Sequence, residues 1–176
     1  MPQYVVGVNT LDAKMAPLVT LVCVTLLARL IATFWLRSNR SWRWALRWGV
    51  AAFFMMTASA HFFWFREDLV RMVPPIFGAP SFWVTFTGVA EIAGAIGLLL
   101  PATRRFAALA LLLLLVAVFP ANVYAAVYDI PFGGDPATPL LPRLLEQIFY
   151  LCCVAWAGLS DQESRTRHSA FEDRQR

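Results

Sequence analysis

Five apolar runs dominate the sequence, and each is long enough to cross a lipid bilayer as a helix. About 20 helical residues, rising 1.5 Å each, span the hydrocarbon core of a membrane. Hydrophobic residues make up 59% of the 176 residues and charged residues 15%, which is too apolar for a soluble domain of this length. The runs are continuous, not alternating, so they favour helices over a transmembrane barrel. They occupy residues 16–36, 46–65, 81–100, 106–126 and 143–160.

The sequence therefore predicts an all-α, polytopic transmembrane helical bundle with three parts. Residues 1–42 hold an N-terminal transmembrane helix and a basic connector, and residues 43–160 hold four further helices that form one membrane domain. Residues 161–176 form a charged tail, for which we expect a frayed helix or disorder. The first 15 residues lack the basic region and cleavage site of a signal peptide, so we interpret the first run as a retained helix.

Basic residues lie mainly on one side of the predicted bundle, although the formal net charge is only +4. They cluster between the first two runs (Arg37, Arg40, Arg43, Arg47), between the third and fourth (Arg104, Arg105) and in the tail. Cytoplasmic loops carry such an excess of arginine and lysine. We expect a plasma or inner membrane protein with its N-terminus outside and its C-terminus in the cytoplasm. The arginines are interpreted as topology signals and lipid-headgroup contacts, not as a nucleic-acid site.

Four polar side chains interrupt the predicted helices in the half of the membrane nearer the outside. His61, Glu91 and Asn122 lie in three different runs, and Glu146 lies near the start of the last one. A charged carboxylate within a membrane helix costs about 2.5–3.5 kcal/mol on insertion scales, so Glu91 is expected to be neutral or paired. Two interpretations stay open. The four residues form a ligand or proton-relay site for a quinone-like or other amphipathic molecule, or they form interhelical hydrogen bonds worth about 0.6–2 kcal/mol each.

Arg29 lies within the first run, about 10 Å from its inner end at 1.5 Å per residue. One explanation is that its long side chain reaches the cytoplasmic headgroups. The alternative is a buried ion pair with Glu91.

Prolines are expected to shape the outer side of the bundle. Pro74 and Pro75 follow a short amphipathic segment and should end any helix there. Pro120 interrupts the fourth run and leaves the carbonyl of Val116 without its usual helical donor. In a membrane helix a neighbouring side chain or water then has to fill this gap.

The sequence offers no motif for a bound metal or haem. It contains two histidines, and the second, His168, lies in the tail. Cys23, Cys152 and Cys153 lie within apolar runs without a CxxC pair, so we interpret them as packing residues. Neither a phosphate loop nor a Ser-His-Asp arrangement can be placed, and the sequence leaves open whether the protein is an enzyme.

Residues 43–160 resemble the DoxX family of small membrane proteins. The resemblance depends on five motifs in the same order: A-x-x-H-F at 58–62, V-P-P at 73–75, G-V-A-E-I-A-G at 88–94, L-L-L-P-x-T-R-R at 98–105 and F-P-A-N-V-Y at 119–124. His61, Glu91 and Asn122 match polar positions of that family, and Tyr124 closes the last motif. The N-terminal helix with Arg29 departs from the four-helix DoxX pattern.

The resemblance implies a four-helix bundle and, more loosely, a role beside quinones. Some DoxX-type proteins are described as subunits of quinol-oxidising complexes or as partners of redox enzymes. We therefore expect a redox-associated subunit that binds a quinone-like cofactor and associates with a redox enzyme complex or with copies of itself. The alternative is a non-catalytic scaffold or anchor, in which the polar residues only hold the helices together. A small transporter is disfavoured because the sequence shows no inverted repeat.

Overall fold

The computed structural model describes residues 10–37 and 40–160, so the predicted tail at 161–176 lies outside the described residues. Six α-helices cover most of this part of the chain, together with one 3₁₀ turn at Pro75–Phe77. The helices are α1 (Thr10–Phe34), α2 (Trp42–Phe62), α3 (Arg66–Met72), α4 (Pro80–Leu99), α5 (Arg104–Val127) and α6 (Leu140–Leu159). The described residues contain no strand, which confirms the predicted all-α class.

Four of the described helices are long and apolar enough to cross a membrane: α1, α4, α5 and α6. A fifth span is counted if α2 is taken together with α3, which is bent by 89° from it. The bend turns α3 across the end of the bundle, and Pro74 follows at the point where the sequence predicts that a helix must stop. Pro120 does not end α5, which continues through it to Val127.

Helices α2, α4, α5 and α6 form a ring in which each helix packs against its two neighbours. All neighbours are antiparallel. Thr57 of α2 meets Glu91 of α4, and Gln147 of α6 meets Leu115 of α5. Helix α1 packs against the outside of α2. The innermost side chains of the ring are Val50, Phe54, Leu98, Leu111 and Val154. We call the end with α3 and loop 128–139 the upper end, and the end with turn 100–103 the lower end.

Small residues bring the helices close together in the lower half of the ring. Gly94 of α4 faces the side chain of Leu111, and a Cβ atom at Gly94 would lie 2.3 Å from it. Gly158 of α6 faces Ala108 of α5, where an added Cβ would lie 2.2 Å from the alanine Cβ. Without much hydrophobic drive between helices in lipid, such close van der Waals packing supplies much of their attraction. The lower half of the bundle is therefore tightly packed.

Two arginines at the lower end are buried, which corrects the prediction that they contact lipid headgroups. Arg43 donates to the backbone carbonyl of Ser160 at 2.5 Å and to its hydroxyl at 2.9 Å. Arg47 donates through Nε to the carbonyl of Ala157 at 2.9 Å. The last carbonyls of a helix lack intrahelical donors and carry partial negative charge, so both cations stabilise the end of α6.

Arg29 does not meet Glu91. Its guanidinium donates to the backbone carbonyl of Arg40 at 2.6 Å and lies 5.4 Å from the ring centre of Trp42. The side chain therefore extends towards the lower end of the bundle, as the snorkelling explanation requires. The buried ion pair with Glu91, the other explanation that the sequence left open, is absent.

Adding one methyl group at Gly158 should separate α5 from α6. We expect Gly158→Ala to lower the free energy of unfolding by about 1–3 kcal/mol, the usual cost of overpacking a close contact. Denaturant unfolding in mixed micelles measures the difference. Cys152→Ala is the matched control, because Cys152 is exposed on the same helix. If Gly158→Ala and Cys152→Ala change the free energy of unfolding equally, the close approach of α5 and α6 at Gly158 is contradicted.

Candidate functional site

A cavity of about 770 Å³ occupies the upper half of the ring. Helices α2, α4, α5 and α6 form most of its walls, and Met15 and Pro17 of α1 also line it. Helix α3, the 3₁₀ turn and loop 128–139 lie above it. Most of its lining is apolar, including Phe53, Leu114 and Val118. Thr138, Gln147 and Tyr150 line it, together with two groups of polar side chains, one on α2 and α4 and one on α5 and α6. We call these groups the floor (Thr57, His61, Thr87 and Glu91) and the rim (Asn122, Arg143 and Glu146).

Glu91 is the most buried acidic group of the described residues, with 9% of its surface exposed. The hydroxyl of Thr57 donates to its Oε2 at 2.9 Å. Its other oxygen, Oε1, lies 3.7 Å from Nε2 of His61. This separation is longer than a hydrogen bond, which leaves both atoms available to a ligand or to a shared proton.

His61 is held in one orientation by the backbone of α4. Its Nδ1 lies 2.8 Å from the carbonyl of Val84, and since a carbonyl oxygen only accepts, Nδ1 carries a proton. Thr87 contacts the same nitrogen at 3.2 Å. The proton-exchanging atom is therefore Nε2, which faces Glu91. Gly88 makes this approach possible, because a Cβ there would lie 2.7 Å from the Cβ of His61.

Arg66 fixes the helix end that carries His61. Its guanidinium donates to the backbone carbonyl of His61 at 2.7 Å and to the hydroxyl of Thr85 at 2.9 Å. It thereby satisfies a carbonyl in the last turn of α2 and ties that turn to α4. Arg66 therefore holds the backbone at His61 in place, although α3 bends away from α2 directly after it.

The rim joins α5 to α6. Arg143 donates to Oδ1 of Asn122 at 2.9 Å and to the backbone carbonyl of Thr138 at 2.9 Å. Glu146 lies about one helical turn below Arg143 and is half-buried against the cavity. Below the rim, Gln147 donates to the carbonyl of Leu115 at 2.6 Å. The rim can thus offer a guanidinium, an amide and a carboxyl group to a ligand.

Two segments lie above the cavity, α3 and loop 128–139, and one polar and one aromatic contact join them. Asp68 of α3 accepts a hydrogen bond from the backbone N–H of Gly133 at 2.7 Å and pairs with Arg71. Phe65 and Phe132 stack with their ring centres 5.0 Å apart. These contacts connect α3 to loop 128–139, so the two segments cover the cavity together.

The structure brings the four predicted polar residues to one cavity. His61, Glu91, Asn122 and Glu146 all line it, although only His61 and Glu91 approach each other directly. The sequence singles out five further residues as supporting this site: Arg29, Pro74, Pro75, Pro120 and Tyr124. Pro74 lines the cavity, and Pro75 begins the 3₁₀ turn beside it. Three others lie away from the lining. Arg29 lies at the lower end, Pro120 lies within α5, and Tyr124 packs on Tyr128 with ring centres 4.5 Å apart.

Sequence reasoning missed Thr57 and Arg143 as parts of the site. Thr57 precedes His61 by four residues, so helical periodicity places both on the same face of α2 and could have identified it. Arg143 gives no such signal in the sequence, because its partner Asn122 lies on another helix. Within the described residues, no group of three or more His, Cys, Asp or Glu side chains could hold a metal ion.

The bond between Thr57 and Glu91 should be measurable as a coupling energy. We expect a double-mutant cycle of Thr57→Val and Glu91→Leu to give about 0.6–1.7 kcal/mol, as for other interhelical hydrogen bonds in lipid. Equilibrium unfolding in mixed micelles provides the four free energies.

The control cycle combines Thr57→Val with Asn122→Ala, two residues that share no bond in the structure. Their effects should add within about 0.5 kcal/mol. If the effects of Thr57→Val and Glu91→Leu add as closely as those of the control pair, the hydrogen bond between Thr57 and Glu91 is contradicted.

A family model described as "Domain of unknown function (DUF8561)" matches residues 50–158. The match covers the four-helix ring from the third turn of α2 almost to the end of α6, and with it all residues that line the cavity except Met15 and Pro17 of α1. Helix α1 lies outside it. No curated protein and no solved structure matches the chain significantly.

Proposed function

The chain belongs to the DUF8561 family, whose function is unknown, and from its own cavity we propose that it binds a quinone-like, lipid-soluble ligand as a redox-associated membrane subunit. The observation that carries this proposal is the pair of His61 Nε2 and Glu91 Oε1, 3.7 Å apart at the floor of an otherwise mainly apolar cavity. Binding sites for small molecules are typically mostly apolar with a few convergent polar groups.

The size and lining of the cavity support a ligand of this class. A volume of about 770 Å³ lies within the range of about 300–1,000 Å³ that small-molecule pockets occupy. An aromatic ring fits between apolar walls such as Phe53 and Val118, while its carbonyl oxygens need donors. At the floor, Nε2 of His61 donates to such an oxygen when the imidazole is protonated. At the rim, Asn122 and Arg143 carry N–H donors.

The floor also suits the proton chemistry of a quinone. Reduction of a quinone to a quinol takes up two electrons and two protons, and oxidation releases them. His61 and Glu91 each hold or release one proton at an atom that faces the cavity, while Nδ1 of His61 stays fixed on Val84. In this proposal the chain binds the ligand and exchanges its protons, and a partner redox enzyme supplies or takes the electrons.

The placement of arginines supports the proposed orientation in a plasma or inner membrane. Arg37, Arg40, Arg104 and Arg105 all lie at the lower end, which is therefore proposed to face the cytoplasm. The cavity then lies in the outer half of the bilayer. A relationship to DoxX proteins remains part of this proposal, supported by the sequence motifs and by the ring of four antiparallel helices.

A scaffold held together by a polar network is the competing function. The interhelical bonds of Glu91, His61 and Asn122 favour it, as does the absence of any buried side-chain nitrogen or oxygen without a partner in the described part. The two functions differ in what His61 Nε2 does. A network needs only the Nδ1 bond to Val84, whereas a quinone site needs Nε2 as well.

His61→Asn separates the two functions. Asparagine keeps an N–H donor near the position of Nδ1 but has no atom equivalent to Nε2. We expect at least about a tenfold loss of affinity for a short-tailed benzoquinone, equivalent to about 1.4 kcal/mol. Quenching of intrinsic tryptophan fluorescence by the quinone, in lipid nanodiscs, measures the affinity.

The matched control is Thr33→Val, because Thr33 is exposed on α1 and bonds only to its own helix at Arg29. Its affinity should equal that of the wild type. If His61→Asn and Glu91→Gln both bind the quinone as the wild type does, the assignment of the site to a quinone is wrong.

A further inference from the structure

Glycines of α4 bring it into close contact with α5 in the lower half of the ring. There Gly94 lies against Leu111, and Gly97 lies against Ala107, where an added Cβ would meet the alanine Cβ at 2.9 Å. In the upper half the cavity lies between the same two helices. Phe86 and Thr87 of α4 and Leu114, Ala117 and Val118 of α5 face it.

Two of these lining residues are also exposed on the outside of the bundle. Phe86 exposes 53% of its surface, and Ala117 is exposed on α5. A residue that both lines a cavity and is exposed outside the bundle lies at an opening. The other exposed lining residues are Met15, Phe77, Trp83 and Pro142, which lie in the 3₁₀ turn or near the upper ends of their helices. Ala117, in contrast, lies about 15 Å below the upper end of α5, well within the depth of a bilayer.

The other neighbouring helices are joined across the upper half. Helices α2 and α4 are joined by His61 and Val84, and α5 and α6 by Asn122 and Arg143. Helices α2 and α6 pack through Phe53 and Tyr150, with ring centres 4.4 Å apart. At the seam between α4 and α5, no hydrogen bond or ring contact of the described residues joins the helices at the depth of Ala117, and the exposed Phe86 and Ala117 flank the cavity there.

The surface around the opening is apolar. Phe82 and Phe86 stack with ring planes 17° apart, and the exposed flanks of the seam continue through Val89 on α4 and through Leu113 and Val116 on α5. In a membrane this surface faces hydrocarbon. A ligand that crosses the opening has to be apolar at that point, because lipid offers no partner for a polar group.

We propose that the opening between Phe86 and Ala117 is a lateral portal, through which a single-tailed amphiphile enters from the bilayer and leaves its tail in the seam. This inference rests on the proposed function and narrows its ligand class. The polar ring lies at the floor beside His61 and Glu91, and the alkyl or isoprenoid tail lies between α4 and α5. A ligand without a tail reaches the same floor but makes no use of the seam.

The portal is tested by blocking it and comparing two probes. The probes are dimethoxy-methyl-benzoquinone without a tail and its decyl derivative, and binding to the full chain in nanodiscs is measured by calorimetry. Ala117→Trp should weaken binding of the decyl probe by at least about tenfold, or 1.4 kcal/mol, and leave binding of the tailless probe within about twofold. Ala117→Leu is a milder block that serves if the tryptophan variant does not fold.

Ala110→Trp is the matched control, because Ala110 is exposed on the same face of α5 two turns lower and does not line the cavity. It should bind both probes as the wild type does. The proposed portal is wrong if the folded Ala117 variants bind the decyl probe as tightly as Ala110→Trp does, or if they lose affinity for both probes equally. Neither result contradicts the proposed quinone site. If neither probe binds to the wild type, the proposed function fails and the inference fails with it.

Discussion

Glu91 sets the main physical constraint on this bundle. Its carboxyl group lies in the middle of an apolar helix and is nearly inaccessible, so a hydrocarbon environment would leave it without partners. The bundle supplies one from α2, the hydroxyl of Thr57, and places the imidazole of His61 3.7 Å from the other carboxyl oxygen. The bonds from Thr57 to Glu91 and from His61 to Val84 both join α2 to α4, so they fix the rotation and depth of the two helices and form the floor of the cavity.

The lower and upper halves of the bundle are packed differently. In the lower half, Gly94 and Gly158 let the helices approach closely, and Arg43 and Arg47 satisfy the end of α6. In the upper half, the ring encloses a cavity, and α3, which is bent away from α2, lies above it. A site at the upper end can thus be open to a ligand while the lower end maintains the fold.

The depth estimates succeeded for the polar residues because helical rise is constant. Counting residues from the ends of the apolar runs placed His61, Glu91, Asn122 and Glu146 in the same half of the bundle, and all four line its cavity. The same counting could not show which residues touch. It left Arg29 with two possible partners, and it assigned Arg43 and Arg47 to headgroups although both bind carbonyls of α6. Depth is one coordinate, whereas contact also needs the rotation of each helix about its axis.

By itself, the sequence determined the all-helical class, the positions of the apolar helices, the stop at Pro74 and the polar residues of the upper half. These properties are local, since hydrophobic run length and proline chemistry act within one segment. Only the tertiary structure decided that Thr57 and Arg143 join the site, that Nε2 of His61 faces Glu91, and that a cavity opens between α4 and α5. Those features depend on the register and rotation of helices against one another, which the packing of the whole ring sets.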